Sequence, residues 1–155
     1  PPAIRDLVRQ AFAGAAHASG TEADIVDGLR ASGALSLALV AVDAGLLVGY
    51  AAFSPVTIAG RDRRWVGLGP LAVHPDRQGR GIGGRLVREG FERLRQAGTA
   101  GSVVLGDPDY YGRLGFVADP RLRYAGAPAE YFLSRSFAGP PPAGDVRYHP
   151  AFDTA

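Results

Sequence analysis

The segment Leu71-Ala72-Val73-His74-Pro75-Asp76-Arg77-Gln78-Gly79-Arg80-Gly81-Ile82-Gly83-Gly84 carries the densest chemistry in the chain. Glycines at 79, 81, 83 and 84 let the backbone approach an anion closely. A helix starting in this loop turns unpaired amides and the positive end of its dipole toward negative charge. Arg77 and Arg80 add charge-assisted donors. The combination suits a diphosphate. It is not the lysine-containing phosphate loop, because all 17 basic residues are arginine, and a dinucleotide fingerprint would need a parallel βαβ unit around it.

The elements that must position this loop follow from apolar spacing. Ile4, Leu7, Val8, Ala11 and Phe12 recur at helical intervals after Pro1-Pro2, and Thr21 is an N-cap for a second short helix ending near Gly33. Leu35 to Val42 and Leu46 to Phe53 flank the turn Asp43-Ala44-Gly45 and predict an antiparallel hairpin. Trp65 to Val73 reads as a strand, and Gly67, Gly69 and Pro70 inside it predict a bulge or an opened edge. Gly83 to Ala97 places Leu86, Val87, Gly90, Phe91 and Leu94 on one face, and Gly98 closes the helix. Ser102 to Leu105 predicts a buried strand, 107–114 a short helix or turn, Glu130 to Phe137 a strand and Val146 to Tyr148 a last short strand. The order is that of an α/β protein with a mixed sheet and helices on both faces.

Composition narrows the possibilities. A chain of 155 residues with 46% apolar content fits a single domain over 1–155 with its own core. Opening at Pro1 rather than methionine reads as a processed or trimmed product. There is no cysteine, hence no thiol nucleophile, disulfide or cysteine-based metal site, and His17, His74 and His149 show no ligand spacing. No metal is expected. The formal charge of +2 offers no basic stripe for nucleic acid. No apolar run is long enough for a membrane span and no signal segment opens the chain, so the expected compartment is the cytoplasm.

Gln78-Gly79-Arg80-Gly81-Ile82-Gly83 resembles the Q/R-x-x-G-x-G/A motif of GNAT acetyltransferases, and Leu71-Ala72-Val73 with Pro75 resembles the L-x-V-x-P that precedes it. Tyr110-Tyr111-Gly112-Arg113-Leu114-Gly115-Phe116 is similar to the family's Y-x-x-x-G-F, and Gly106-Asp107-Pro108 before it to a subgroup with G-D-P-x-Y-Y. The resemblance covers most of the chain. It implies a mostly antiparallel central sheet with one splayed strand pair, and acetyl-CoA as the co-substrate of an N-acetyltransferase. It further implies that Leu71, Ala72 and Val73 pair with pantetheine, that the Leu71 N–H polarises the acetyl carbonyl, and that the loop from Arg77 through Gly84 holds the diphosphate. Tyr111 becomes the acid for the departing thiolate, since a phenol titrates near about 10 and stays protonated at neutral pH.

Two departures from the family pattern stand out. The family opens with a strand before its first helix, so either that strand is missing here or the sheet edge is bare, which favours pairing as a homodimer. An asparagine that contacts pantetheine has no counterpart, and Asp107 takes its place. Glu22, Asp24, Asp109, Glu130 and His149 stay open as candidate bases. Ser54 and Ser102 lack an evident histidine partner for nucleophilic work. The acceptor is a small-molecule amine or a peptide amine, in a pocket between the first helices, the turn near 54–64 and the tail near 130–152. Two rivals remain: a GNAT-like module that holds acyl-CoA without turnover, and a mononucleotide-binding domain.

Overall fold

The computed structural model describes residues 2–13 and 21–153, so the readings placed on Pro1 and His17 lie outside the described residues. Two helices come first, α1 (Pro2–Phe12) and α2 (Glu22–Ala31). Three long strands follow as β1 (Leu37–Asp43), β2 (Leu46–Ile58) and β3 (Arg61–Val73), then α3 (Ile82–Gln96). The C-terminal part contains β4 (Gly101–Leu105), α4 (Pro108–Gly112), β5 (Val117–Ala118), β6 (Leu122–Arg123), β7 (Phe132–Ser136) and β8 (Gly144–Arg147). The sheet runs β5-β7-β4-β3-β2-β8-β6, with β1 also paired to β2. Among the described residues only β3–β4 and β6–β8 are parallel. The expected mixed, mostly antiparallel sheet is therefore present.

Several boundaries differ from the apolar pattern, each for a physical reason. β2 continues through Ser54 to Ile58 and β3 starts at Arg61, because Ala59 and Gly60, at φ 53° and 76°, form a tight turn that extends the hairpin beyond its apolar part. The arginines at 61, 63 and 64 in that extension face solvent. The strand expected from Glu130 begins at Phe132, after a 3-10 turn over Ala129–Tyr131. β5 and β6 have two residues each, too few to leave a period in the sequence, and exist because β7 and β8 offer them an edge. The exit of α3 is as expected: Gly98 has φ 93° and the Thr99 N–H donates to the Leu94 carbonyl at 2.9 Å.

Alternation along the strands divides the core between two faces. On one, α3 lays Leu86, Val87, Phe91 and Leu94 over Ala51, Phe53, Val66, Leu68 and Val104. Phe91 meets Phe53, Phe116 and Phe137 with ring centroids 6.2, 5.6 and 5.0 Å away. On the opposite face, α1 and α2 cover Tyr50, Ala52 and Ala72, and a second patch gathers Val56, Trp65, Val103, Phe132 and Val146. Among the described residues β1 pairs with β2 alone, and Val40 and Val42 on it are 51% and 62% exposed. No helix among the described residues is long and apolar enough to cross a membrane.

The expected bulge is in β3. Leu71 opposes Ala51 and Leu68 opposes Phe53, so Gly69 and Pro70 together face the single residue Ala52. The parallel pairing of β3 with β4 stops at the same place, running only from Trp65–Gly101 to Leu68–Val104. Beyond it the outer edge of Leu71–Val73 has no strand beside it among the described residues. The His74 N–H donates to the Val48 carbonyl at 2.8 Å, so by alternation the Leu71 and Val73 amides point away from β2, into the opening.

The close approach of α3 to the sheet is testable at Gly90. A Cβ there would lie 2.6 Å from the Phe53 ring, itself fully buried. Gly90→Ala is expected to lower unfolding free energy by about 1–3 kcal/mol in urea titrations through overpacking, and an unchanged midpoint would contradict this packing.

Candidate active site

The opened edge of β3, the start of α3 and the turn carrying α4 surround one cavity of about 590 Å³. Its walls include Leu71 and Val73 from β3, Arg77, Gln78 and Gly79 from the loop, Gly81 to Gly84 at the start of α3, and Tyr110 and Tyr111 from α4. The loop is shaped by backbone requirements. Gly79 and Gly81 have φ 78° and 80°, the left-handed region that glycine enters without strain, and nothing lies within 4 Å of where their Cβ atoms would be. Pro75–Arg77 forms a 3-10 turn capped by His74, whose Nδ1 accepts from the Asp76 N–H at 3.1 Å. His74 thus serves to cap this turn. The Gln78 side chain donates to the Val73 carbonyl at 3.1 Å, tying the loop back to the open strand edge.

α3 begins at Ile82 with Gly81 as its N-cap, and its first-turn amides have no partner within the helix. Residues 81 to 84 line the cavity together with Arg77, Arg88 and Arg113. None of the cavity-lining residues is acidic. Arg77 is held by Asp43 at 3.2 Å, whereas Arg88 and Arg113 have no carboxylate partner among the described residues. The site therefore fits a polyanion, and its strongest cations are ones the sequence motif did not single out. Arg88 lies one turn beyond Gly84, and a Cβ at Gly84 would be 3.3 Å from its Nη1. That i, i+4 spacing was the available signal.

Tyr111 is set by local bonding. The Asp107 carboxylate accepts from the Asp109 N–H at 2.9 Å and caps α4, and the Phe116 N–H returns to the Tyr111 carbonyl at 3.2 Å. Arg135 donates to the Leu114 carbonyl at 2.8 Å and clamps the turn from outside. The Tyr111 ring lies over Gly106, where a Cβ would be 2.4 Å away, and meets Tyr110 and Phe116 edge-on. Burial, reinforced by the Tyr110 phenol and the Asp107 carboxylate, pushes the Tyr111 phenol far above its ordinary value, so it is held protonated. Tyr110 does more than pack: its hydroxyl lies 2.4 Å from where a Gly83 Cβ would stand, at the first turn of α3.

Ten of the residues singled out from sequence meet around this cavity: Leu71, Val73, Arg77, Gln78, Gly79, Gly81, Ile82, Gly83, Gly84 and Tyr111. Ala72, Arg80 and Asp107 are not in its walls. The Ala72 side chain is buried against α1 and α2 on the other face, Arg80 is exposed, and the Asp107 carboxylate is engaged in capping. The candidate bases also stand apart from it. Asp24 pairs with Arg5 at 2.8 Å, the His149 Nδ1 accepts from the Ala151 N–H at 2.9 Å, and Glu130 lines a separate cavity with Tyr124 and Phe132. Glu22 and Asp109 do not line the first cavity either.

A strand edge freed by a bulge thus opens onto a glycine-built helix start with a protonated phenol beside it. Comparison with known proteins agrees with the motif resemblance. The sequence model of the acetyltransferase (GNAT) domain matches residues 34–118. The chain is 42% identical over 139 residues to the uncharacterized N-acetyltransferase YhbS of Escherichia coli K12, covering 86% of this chain and 80% of that one. A GNAT family acetyltransferase from Brucella melitensis, solved in complex with acetyl-CoA, superposes with a TM-score of 0.87 at 47% identity, over 98% of this chain and 91% of that chain. Escherichia coli YhbS in complex with CoA gives 0.89 at 39% identity, over 98% and 86%. The chain belongs to the GNAT acetyltransferase family.

Buried phenols make stability sensitive to alkali. Burial raises Tyr50, Tyr110, Tyr111 and Tyr148 in the folded chain. Below about pH 10 all are neutral in both states and their full contribution is present; above it the unfolded chain ionises first and folding stability falls. Urea midpoints taken between about pH 8 and 11 should decline above about pH 10, and Tyr111→Phe should lessen the decline; a flat profile would count against these burials.

Proposed function

We propose that the chain transfers the acetyl group of acetyl-CoA by direct attack to a primary amine of a small molecule or peptide. The observation that carries this reading is the convergence of the opened Leu71–Val73 edge, the α3 N-terminus and Tyr111 on one cavity free of acidic residues. The first-turn amides of α3 with Arg77, Arg88 and Arg113 hold the diphosphate. Gly79 and Gly81 leave room for close backbone approach, and the outward amides of Leu71 and Val73 pair with pantetheine as an added strand would. Ala72 contributes by keeping that segment seated against α1 and α2.

The chemistry then needs three things from this chain. The Leu71 N–H polarises the thioester carbonyl and stabilises the oxyanion that develops. Tyr111, kept protonated by burial, donates to the departing sulfur. The opened Leu71–Val73 edge holds the thioester in position for the amine. The amine nitrogen attacks the carbonyl carbon, the carbon–nitrogen bond forms and the carbon–sulfur bond breaks. The thiolate takes the Tyr111 proton, the new amide loses its extra proton to solvent or a base, and Tyr111 is reprotonated from solvent. No metal takes part. The cytoplasm, where acetyl-CoA is available, is the compartment this reaction calls for. Neither nucleic acid nor membrane is a partner in it, and a second copy of the chain pairing along the bare β1 edge would cover Val40 and Val42.

Calorimetric titration tests the reading. The protein is expected to bind acetyl-CoA in the micromolar range, and a variant with both Gly81→Ala and Gly83→Ala to lose at least about tenfold in affinity. Alanine in the left-handed region costs about 1–2 kcal/mol, and a Cβ at position 83 strikes the Tyr110 hydroxyl. Tyr111→Phe should keep acetyl-CoA affinity and lower kcat about 100-fold with any amine the wild type accepts. A folded protein that ignores acetyl-CoA would refute the transferase reading.

A further inference from the structure

The arginines that line the first cavity bring more charge than a diphosphate answers. Arg77 is already shared with Asp43 at 3.2 Å, while Arg88 and Arg113 have no carboxylate partner among the described residues. No lining residue is acidic. A diphosphate that joins two alcohols carries one negative charge on each phosphate at neutral pH. The free amides at the start of α3 meet part of that charge as hydrogen-bond donors. Arg77 and one further arginine balance what remains, so the cavity holds a cation beyond what the diphosphate needs.

The two unpaired arginines reach the same turn of α3 from different elements. Arg88 lies one turn along α3 from Gly84 and folds back over it, so that a Cβ at Gly84 would stand 3.3 Å from its Nη1. Its guanidinium is therefore beside the first-turn amides and belongs with the diphosphate. Arg113 comes from the end of α4. The Cδ2 atom of the next residue, Leu114, lies 3.7 Å from the same Gly84 Cβ position. The Leu114 backbone is held on both sides, since its N–H donates to the Tyr111 carbonyl at 3.0 Å and its carbonyl accepts from Arg135 at 2.8 Å. Position 113 is thereby fixed beside α3, and its own side chain is exposed and forms part of the cavity wall.

A cation fixed on the wall of the diphosphate cradle calls for anionic charge outside the diphosphate. In coenzyme A the diphosphate is followed by a ribose that carries a phosphate monoester on its 3′ oxygen, one sugar away. Such a monoester bears about −1.5 to −2 charge at pH 7, more than either phosphate of the diphosphate, and presents three acceptor oxygens. The forked donors of arginine match those oxygens. The adenine ring and the free ribose hydroxyl are neutral and make no comparable use of a cation. An acceptor amine is itself cationic in water and is repelled by it.

Building on the acetyl-CoA reading above, we propose that Arg113 recognises the 3′-phosphate of the donor, so that the site selects coenzyme A thioesters over thioesters of the same acyl group that end in an unphosphorylated ribose or in pantetheine alone. This narrows the part given to Arg113 above, from the diphosphate to the phosphate on the ribose, and leaves Arg77, Arg88 and the α3 amides to the diphosphate. Arg113 takes no part in breaking or forming bonds at the acetyl group. It sets which donors are held.

The test needs no knowledge of the acceptor. Acetyl-CoA and acetyl-dephospho-CoA, which lacks only the 3′-phosphate, are titrated by calorimetry into wild type and into Arg113→Gln. The wild type is expected to bind the dephosphorylated donor about tenfold more weakly. In the variant that ratio should fall to about twofold or less, through weaker binding of acetyl-CoA with little change for the other donor. Equal binding of the two donors by the wild type overturns the proposal. So does a variant that weakens both donors by the same factor, as an arginine serving the diphosphate alone would, or one that changes neither, as a solvated surface arginine would. If Arg113→Gln fails to fold, Arg113→Met, which keeps the apolar stem, takes its place and is read in the same way. A wild type that binds neither donor is a separate outcome, since it defeats the transferase reading itself.

Discussion

The structure depends on the obligation of a strand's amides and carbonyls to find partners. β3 is bonded along one edge to β2, but its pairing with β4 along the other edge stops after Leu68, where the bulge sets Gly69 and Pro70 against the single residue Ala52. The freed groups at Leu71 and Val73 are only partly answered inside the protein, by Gln78 reaching the Val73 carbonyl. A sheet that closed fully here would be more self-sufficient and would have no slot. The fold accepts an incomplete ladder where, in the function proposed above, the amide groups of the donor would complete it.

The rest of the site is arranged around that opening. The loop from Pro75 to Gly81 carries the chain from the open edge directly into α3, so the strand's unmet groups and the helix's unmet amides face the same cavity. Arginine rather than lysine supplies the charge throughout, with rigid forked donors suited to phosphate oxygens. α4 is only five residues long, yet its capping by Asp107 and the clamp from Arg135 fix two phenols beside the cavity. The opposite face closes the seam with aromatic rings from the C-terminal segment.

Much of this was legible because it rests on local backbone chemistry. The glycines at 79 and 81 declare left-handed turns, the spacing of Leu86, Val87, Phe91 and Leu94 declares the buried face of α3, and Gly69-Pro70 within an apolar run declares a break in pairing. What could not be read depends on residues distant in sequence. Arg88 and Arg113 look like solvated helix and turn positions until α3 and α4 are placed side by side. The polar stretch 61–64 hides the start of β3 because a hairpin tip needs no apolar side chains. Tyr148 gave no sign of its place, since nothing near it in the chain predicts that its ring would lie on Gly67. Asp107 illustrates the converse: a position in a recognisable motif whose carboxylate is occupied in capping its own helix.

The unequal pairing of β2 and β3 has a consequence for the time scale on which their amides exchange with solvent. β2 is bonded on one side to β3 and on the other to β1 and β8, so its protons are released only when the sheet comes apart. The outward amides of Leu71 and Val73 sit in the same sheet yet lack that protection until something pairs with them. Deuterium uptake at those two positions therefore reports occupancy of the slot against a built-in internal reference, residue by residue, whatever the final recipient of the acetyl group is.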